Sequence, residues 1–420
     1  MELPLSNSRR MPVEEFDTRI ALSHAAKQAR AKGYQNFPII DVDSHHIEYE
    51  HLNEILSFME DPVLRQLIQS SIISGYRGVG AIPGALGYQD NGGRILREPL
   101  RRLEKTDPTP HRDVTLTHRW MDSMGIDIAI MFPTPMLHLG MHPQVEVETG
   151  MAQAYNRWLV EKILAESPRI RSMLYLPFND PSATYRTVKE FAGKKGVVGF
   201  MVTSNRYRPV HHNDYMKTYA LMEEAGLPLA FHGAYNWADQ SVMLVNRFIS
   251  AHALGFVWHN MVHMTNWVIN GIPERFPKLK VVWIESGLAW LPFLMQRLDN
   301  EYMMRTGDAP ALKKLPSEYI TDMFYTNQPM EKTGDIDLLA TTFRVTKADT
   351  QLLYSSDYPH WDFDLPSVIY DLPFLNEQQK RQILGGNALK FFGMDPPKKK
   401  LAVMDGVEAA EPFPRMQAAE

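Results

Sequence analysis

The sequence predicts an α/β fold, a (β/α)8 TIM barrel with a long insertion after its first strand and an extended C-terminal tail. Three observations predict it. Short apolar runs recur along the chain with helical patterns between them, and with Pro38–Ile40 as the first there are eight. Parallel strands joined by helices close economically into a barrel. No glycine-rich phosphate fingerprint follows the first run, which disfavours the runner-up, an open doubly wound sheet.

The remaining runs are Ile126–Phe132, Ile170–Leu176, Val197–Val202, Leu227–Phe231, Leu279–Ile284, Met323–Tyr325 and Leu352–Tyr354. Helical periodicity fills Thr149–Glu166, Ala183–Ala192, Asp214–Ala225, Val242–Val268 and Ala289–Met304. Residues 1–36 read as a polar leader with a helical piece at Ala21–Ala31, and residues 37–393 as the barrel. Within it, residues 49–118 form the insertion, helical around Leu52–Phe58 and Pro62–Ser71 and glycine-rich from Gly75 to Gly93. A connection of that length reads as a lid over a site. Asn376 is placed to cap a last helix, Asn376–Phe392. Residues 394–420, with the run Lys398–Lys400 and an Ala/Glu-rich end, form a tail that wraps a surface or stays loose.

Composition narrows the function. A net charge of -5 with interspersed signs leaves no nucleic-acid or anionic-membrane footprint. No apolar run is long enough to cross a bilayer, and Met1–Met11 lacks a signal-peptide core, so a cytoplasmic address is expected. Cysteine is absent, which removes disulfides, thiolate nucleophiles and Cys–zinc sites. Any metal must then sit on His, Asp or Glu.

Chemistry in a barrel belongs where strands end. The first run leads into Asp41-Val42-Asp43-Ser44-His45-His46, where Asp43 and His45, two apart in a strand, face one side. The fifth ends in His232, the sixth in Glu285-Ser286-Gly287 and the eighth in Asp357. Each residue alone has a bland reading as a core imidazole, a cap or a turn acid. Gathered at one apolar rim, such carboxylates would repel and protonate unless a cation held them.

These motifs carry a resemblance. Asp41-Val42-Asp43-Ser44-His45 with Glu48, Glu274–Lys280, Glu285-Ser286-Gly287 with Trp290, Pro292, Arg297 and Leu298, Ser356–His360 and Leu384–Ala388 occur in order over about residues 37–393. Together they resemble the amidohydrolase superfamily. Within it they match the amidohydrolase-related group that includes aminocarboxymuconate-semialdehyde decarboxylase and resorcylate-type decarboxylases. The resemblance implies one divalent metal, Zn²⁺ or Mn²⁺, on Asp43, His45, His232 and Asp357. Asp43 stands where many relatives carry the first histidine of H-x-H or a glutamate. Glu285 is a departure, because it stands where characterised decarboxylases usually carry a catalytic histidine.

That departure turns the expectation toward hydrolysis. A metal-activated water would attack a small substrate, with Asp357 passing the proton and Glu285 as a second acid/base or as the group that orients the water. The alternative is non-oxidative decarboxylation of an aromatic or unsaturated acid, with Asp357 protonating the carbon. A non-catalytic metal-binding barrel is less expected, since Glu285 and Asp357 add more acids than a structural site needs. Tyr235, Asn236, Trp237 and His360 line the rim as candidate substrate contacts and suggest an aromatic or carboxylated ligand. Arg206, Arg208, His211 and His212 read as a solvated loop before a carboxylate clamp. His252, Phe256, His259, His263 and Trp267 form a helical stripe that reads as a packed face before a second metal site. A homo-oligomer, dimer or higher, is expected.

Overall fold

Alternating buried runs and amphipathic helices leave each strand apolar on both faces, which suits a parallel sheet covered by helices. The computed structural model describes residues 18–74, 106–234, 239–332, 334–360 and 362–397. Eight strands stand in chain order: β1 (Ile40–His46), β2 (Ile128–Pro133), β3 (Ile170–Tyr175) and β4 (Val197–Thr203). They continue as β5 (Leu229–His232), β6 (Val281–Ile284), β7 (Phe324–Thr326) and β8 (Leu352–Leu353). All neighbouring pairs are parallel. The (β/α)8 barrel expected from the sequence is the fold observed.

The edges of the sheet meet through β1. Val42 N donates to Tyr354 O at 2.9 Å and Asp357 N to Asp43 O at 2.8 Å. The Asp41 carboxylate takes the Ser356 amide at 2.9 Å and the Ser356 hydroxyl at 2.5 Å. Burial raises the Asp41 pKa to about 8, against the lowering effect of those Ser356 bonds. This side chain therefore latches the last strand to the first.

Helices lie outside: α1 (Thr18–Ala31), α2 (Leu52–Ser57), α3 (Pro62–Ser74), α4 (Arg112–Met124), α5 (Val145–Trp158), α6 (Pro181–Phe191) and α7 (Met216–Ala225). After β5 come α8 (Gln240–Met243), α9 (Phe248–Ile269), α10 (Ile272–Arg275) and, after β6, α11 (Trp290–Met304). Local chemistry sets their starts. Asp180 caps α6 by accepting from Ser182 N at 2.8 Å and Ala183 N at 3.0 Å, with Pro181 at the first helical position. Asn376 and Gln379 exchange side-chain-to-backbone bonds in a capping box at the last helical segment.

Several elements differ from expectation. The helix expected over Val242–Val268 is broken into α8 and α9. The segment expected over Asn376–Phe392 widens to a π turn at Gln382–Gly386. Helix α1, within the expected leader, packs on α4 and puts Leu22, Ala25 and Ala29 into the main core. The flank of the insertion, α2, packs on α5. The glycine-rich run Gly75–Gly93 and the tail from Lys398 lie outside the described residues.

Candidate metal centre

At the open ends of β1, β5, β6 and β8, Asp43, His45, His232, Glu285 and Asp357 come together, all almost wholly buried. Asp43 and His45 share a face by strand alternation. A register shift between Asp41 and Ser44 against β2 marks a bulge at this point. Glu285 and Asp357 sit in the left-handed region at φ 57° and 58°. Such a conformation costs about 1–3 kcal/mol per residue and collects at functional sites.

The distances define a tight group. Asp43 Oδ1 lies 3.1 Å from His45 Nε2 and 3.2 Å from His232 Nε2. Asp357 Oδ1 lies 3.2 Å from His45 Nε2. The other ring nitrogens fix the tautomers. His45 Nδ1 donates to Pro133 O at 2.8 Å and His232 Nδ1 to Gly233 O at 2.8 Å. With the rings neutral, both Nε2 atoms present lone pairs, and they face carboxylate oxygens. Asp43 Oδ2 and His45 Nε2 are buried with no hydrogen-bond partner among the described residues.

Acceptors facing acceptors in a buried site need a positive charge between them. A proton is one source. Burial opposes an imidazolium at His45, but Asp43 and Asp357 outweigh it and raise its pKa well above the usual value. Burial likewise opposes the Asp43 carboxylate, yet His232 and His45 hold it below the usual range. A divalent cation serves the same oxygens while leaving both imidazoles neutral. Two imidazoles and two carboxylates are a donor set for Zn²⁺ or Mn²⁺. The residues fit such an ion.

Glu285 lies beside this group, with Oε2 3.4 Å from His232 Nδ1. Its turn is held from below. Glu331 accepts from Leu288 N at 3.0 Å, and a side chain at Gly287 (φ +64°) would collide with the Glu331 carboxylate. His360, expected as a substrate contact, is fully buried. Its Nδ1 lies 2.6 Å from Asp357 Oδ1 and its Nε2 3.3 Å from Thr134 Oγ1. Its ring stacks on His45 at 4.3 Å. The spacing Asp357-Tyr358-Pro359-His360 was the available signal, but only the fold of that turn brings the imidazole back onto the acid. Tyr235, Asn236 and Trp237 lie outside the described residues.

Glu48 accepts from Thr134 N at 2.9 Å and Met136 N at 2.6 Å, tying the end of β1 to the loop after β2. Burial raises its pKa to about 7. The histidine stripe on α9 divides among separate partners. His259 pairs with Asp239 at 2.5 Å, His263 bonds Ser204 O at 2.7 Å, and His252 faces Asp362 at 3.6 Å. Of the loop after β4, Arg208 and His212 gather round exposed Asp214, while the Arg206 guanidinium turns inward over the Phe178 ring at 4.7 Å.

A second group was not foreseen. His46 Nδ1 lies 2.8 Å from Asp113 Oδ2 and its Nε2 2.8 Å from the Tyr155 hydroxyl. His51 Nε2 lies 3.2 Å from Asp113 Oδ1, and His111 Nε2 3.4 Å from Glu54 Oε2. Trp158 donates to the same Glu54 oxygen at 3.1 Å.

The family model described as Amidohydrolase matches residues 127–394. A gamma-resorcylate decarboxylase of Rhizobium radiobacter is 23% identical over 339 residues, 75% of this chain and 96% of that protein. Among solved structures, the 5-carboxyvanillate decarboxylase of Sphingomonas paucimobilis superposes with a TM-score of 0.60 at 21% identity, covering 86% of this chain and 100% of its own. A dihydroxybenzoic acid decarboxylase of Polaromonas sp. JS666, with bound manganese and 2-nitroresorcinol, gives 0.58 at 19% identity over 85% and 97%. These relatives overturn the hydrolytic expectation: the three just named are decarboxylases, and the carboxy-lyase alternative fits better. The inference from Glu285 weighed the imidazole at one strand end only; at another, His360 lies with its Nδ1 2.6 Å from Asp357 Oδ1.

Proposed function

The chain belongs to the amidohydrolase family, and we propose that it is a metal-dependent decarboxylase acting without an oxidant on a hydroxylated aromatic acid. Asp43, His45, His232 and Asp357 would hold one divalent ion, manganese or zinc. When bound, the ion supplies Lewis acidity to the oxygens of the acid being decarboxylated.

The chain's own residues supply the proton. Asp357, as the carboxylic acid, delivers it to the ring carbon that bears the carboxylate. The carbon–carbon bond then breaks, its electron pair returns to the ring, and CO₂ leaves. His360, as an imidazolium, returns its Nδ1 proton to Asp357 across 2.6 Å and takes one back from solvent after CO₂ has left. Glu285 orients His232 from 3.4 Å. Burial of all of these groups keeps bulk water from competing for the reacting carbon. The Asp357–His360 contact carries this reading.

The test is the fate of 2,6-dihydroxybenzoate with manganese-loaded protein in D₂O. CO₂ release with one deuterium at the vacated ring carbon is expected. No CO₂ across a panel of hydroxylated benzoates would end the proposal.

A homo-oligomer accompanies this reading, supported by Leu254, Trp258 and Val262, which recur every four residues on α9 and are exposed. Light scattering on the purified chain gives its mass. Among the described residues, no helix is long and apolar enough to cross a membrane.

A further inference from the structure

We propose that Thr134 is a positioning residue for the reaction, whose hydroxyl holds the His360 ring with Nδ1 on Asp357. The inference rests on the decarboxylase reading above, in which His360 returns a proton to that acid.

It starts from a helix cap that is not used as one. Thr134 follows β2 and stands at the N-cap of the 3₁₀ turn Pro135–Met141, with Pro135 at the first position. A threonine at a helix N-cap ordinarily spends its hydroxyl on the backbone N–H two or three residues on. Thr134 makes no such bond. Glu48 takes its place, accepting from Met136 N at 2.6 Å through one oxygen and from Thr134 N at 2.9 Å through the other. A carboxylate from just beyond β1 thus caps the turn. The threonine hydroxyl is released for another partner.

That partner is His360. Thr134 Oγ1 lies 3.3 Å from His360 Nε2, and both residues are buried. The peptide beneath the hydroxyl is held at both edges. Pro133 O accepts from His45 Nδ1 at 2.8 Å, while the N–H of the same peptide is the one that Glu48 takes. The His360 ring in turn stacks on His45 at 4.3 Å. Pro133-Thr134 therefore reaches both stacked imidazoles, the candidate metal ligand through its backbone and the proton carrier through its side chain.

The chemistry needs His360 Nδ1 to stay on Asp357 Oδ1, 2.6 Å away, before and after the proton moves. With both ring nitrogens protonated, Nε2–H donates to the Thr134 hydroxyl, and it still does once Nδ1 has given up its proton. The ring has no need to turn. A hydroxyl can donate as well as accept, so it also serves the opposite tautomer. The nitrogen that takes no part in the transfer is the one that orients an imidazole. Valine at this position keeps the shape of threonine but sets a methyl group against Nε2.

The experiment compares CO₂ release by manganese-loaded full-length wild type, Thr134→Val, Thr134→Ser, His360→Ala and the double variant Thr134→Val/His360→Ala. The substrate is the hydroxylated benzoate that wild type turns over, and metal content and melting temperature are recorded for each protein. Thr134→Val is expected to lower kcat about 10–100-fold, with KM within about twofold and metal content unchanged. Thr134→Ser, which keeps the hydroxyl, should recover most of kcat. In the double variant the valine should slow turnover no further than His360→Ala does alone, because the hydroxyl acts through that ring. A kcat for Thr134→Val within about twofold of wild type overturns the proposal. So does a raised KM with kcat unchanged, a loss of metal, or a further loss in the double variant, since each puts the effect elsewhere than on His360. If Thr134→Val and Thr134→Ser melt lower and are equally slow, the side chain is structural and the proposal is again overturned. The decarboxylase reading survives all of these outcomes. Wild type that carries its metal yet releases no CO₂ from any acid of the panel ends that reading, and this one with it.

Discussion

His45 and His46 are neighbours in β1, and each anchors a cluster of imidazoles and carboxylates, one inside the barrel and one behind it. Both clusters bring ligand-type atoms within reach of a common ion. Proton accounting separates them. Behind β1, His46 reaches Asp113 and Tyr155, His51 reaches Asp113, and the His111 Nδ1 lone pair accepts from Asp113 N at 3.1 Å. Donors there meet acceptors, so the network is complete with its own protons. Inside, both Nδ1 protons are spent on backbone carbonyls, and the Nε2 lone pairs confront Asp43 and Asp357. Proximity of His and Asp is therefore a poor guide to a metal. The direction of each N–H decides.

The largest effects should come from the inner cluster. Wild-type protein is expected to carry one divalent ion per chain by elemental analysis, and His232→Ala should carry none. Asp357→Asn should lower CO₂ release by about 10²–10⁴-fold, the usual worth of a positioned acid. His360→Ala should fall in the same range while keeping its metal, because His360 bonds the acid and meets the other three candidate ligands only by stacking its ring on His45. Metal loss in Asp113→Ala, with metal retained in His232→Ala, would invert the comparison.

Next in size is a loss of stability without a loss of metal. Asp113→Ala leaves the buried His46 Nδ1 and His51 Nε2 facing a void. Breaking a buried charged network in this way costs about 3–5 kcal/mol. Urea unfolding measures it, with metal content as the control. A penalty below about 1 kcal/mol would show that the outer cluster does not hold α4 to β1.

How much of this was legible in the sequence follows from the range of each interaction. Strand ends could be read because apolar runs stop where acids and imidazoles begin, and the period of two placed Asp43 beside His45. The positive φ at Glu285 and Asp357 left no trace, since neither residue is glycine. His360 was visible as a rim residue, but not as the partner of Asp357. The outer cluster joins residues 46, 51, 54, 111, 113, 155 and 158, and no local pattern relates segments so far apart.

The smallest expected effect is also the most specific to the outer cluster, and it concerns pH. Burial lowers the His51 pKa, but the bond to Asp113 and the charges of Asp113, Glu54 and Glu50 outweigh it, so the net shift is upward. A histidine whose folded pKa is raised adds stability that is fully present below its unfolded pKa, about 6.5, and is lost as pH rises through the folded value. Glu54 sets the other limit. Burial raises its pKa, but Trp158, His111 and His51 lower it further, so its contribution is present above the unfolded value and fades in more acidic solution. The stability gap between wild type and His51→Gln should thus be greatest from about pH 4.5 to 6.5. It is expected to amount to about 1 kcal/mol there and to close toward alkaline pH. Thermal melts of the two proteins across that range measure it. A gap that stays constant with pH would mean that His51 is held as a neutral ring, and that shape rather than charge binds the segment after β1 to α4.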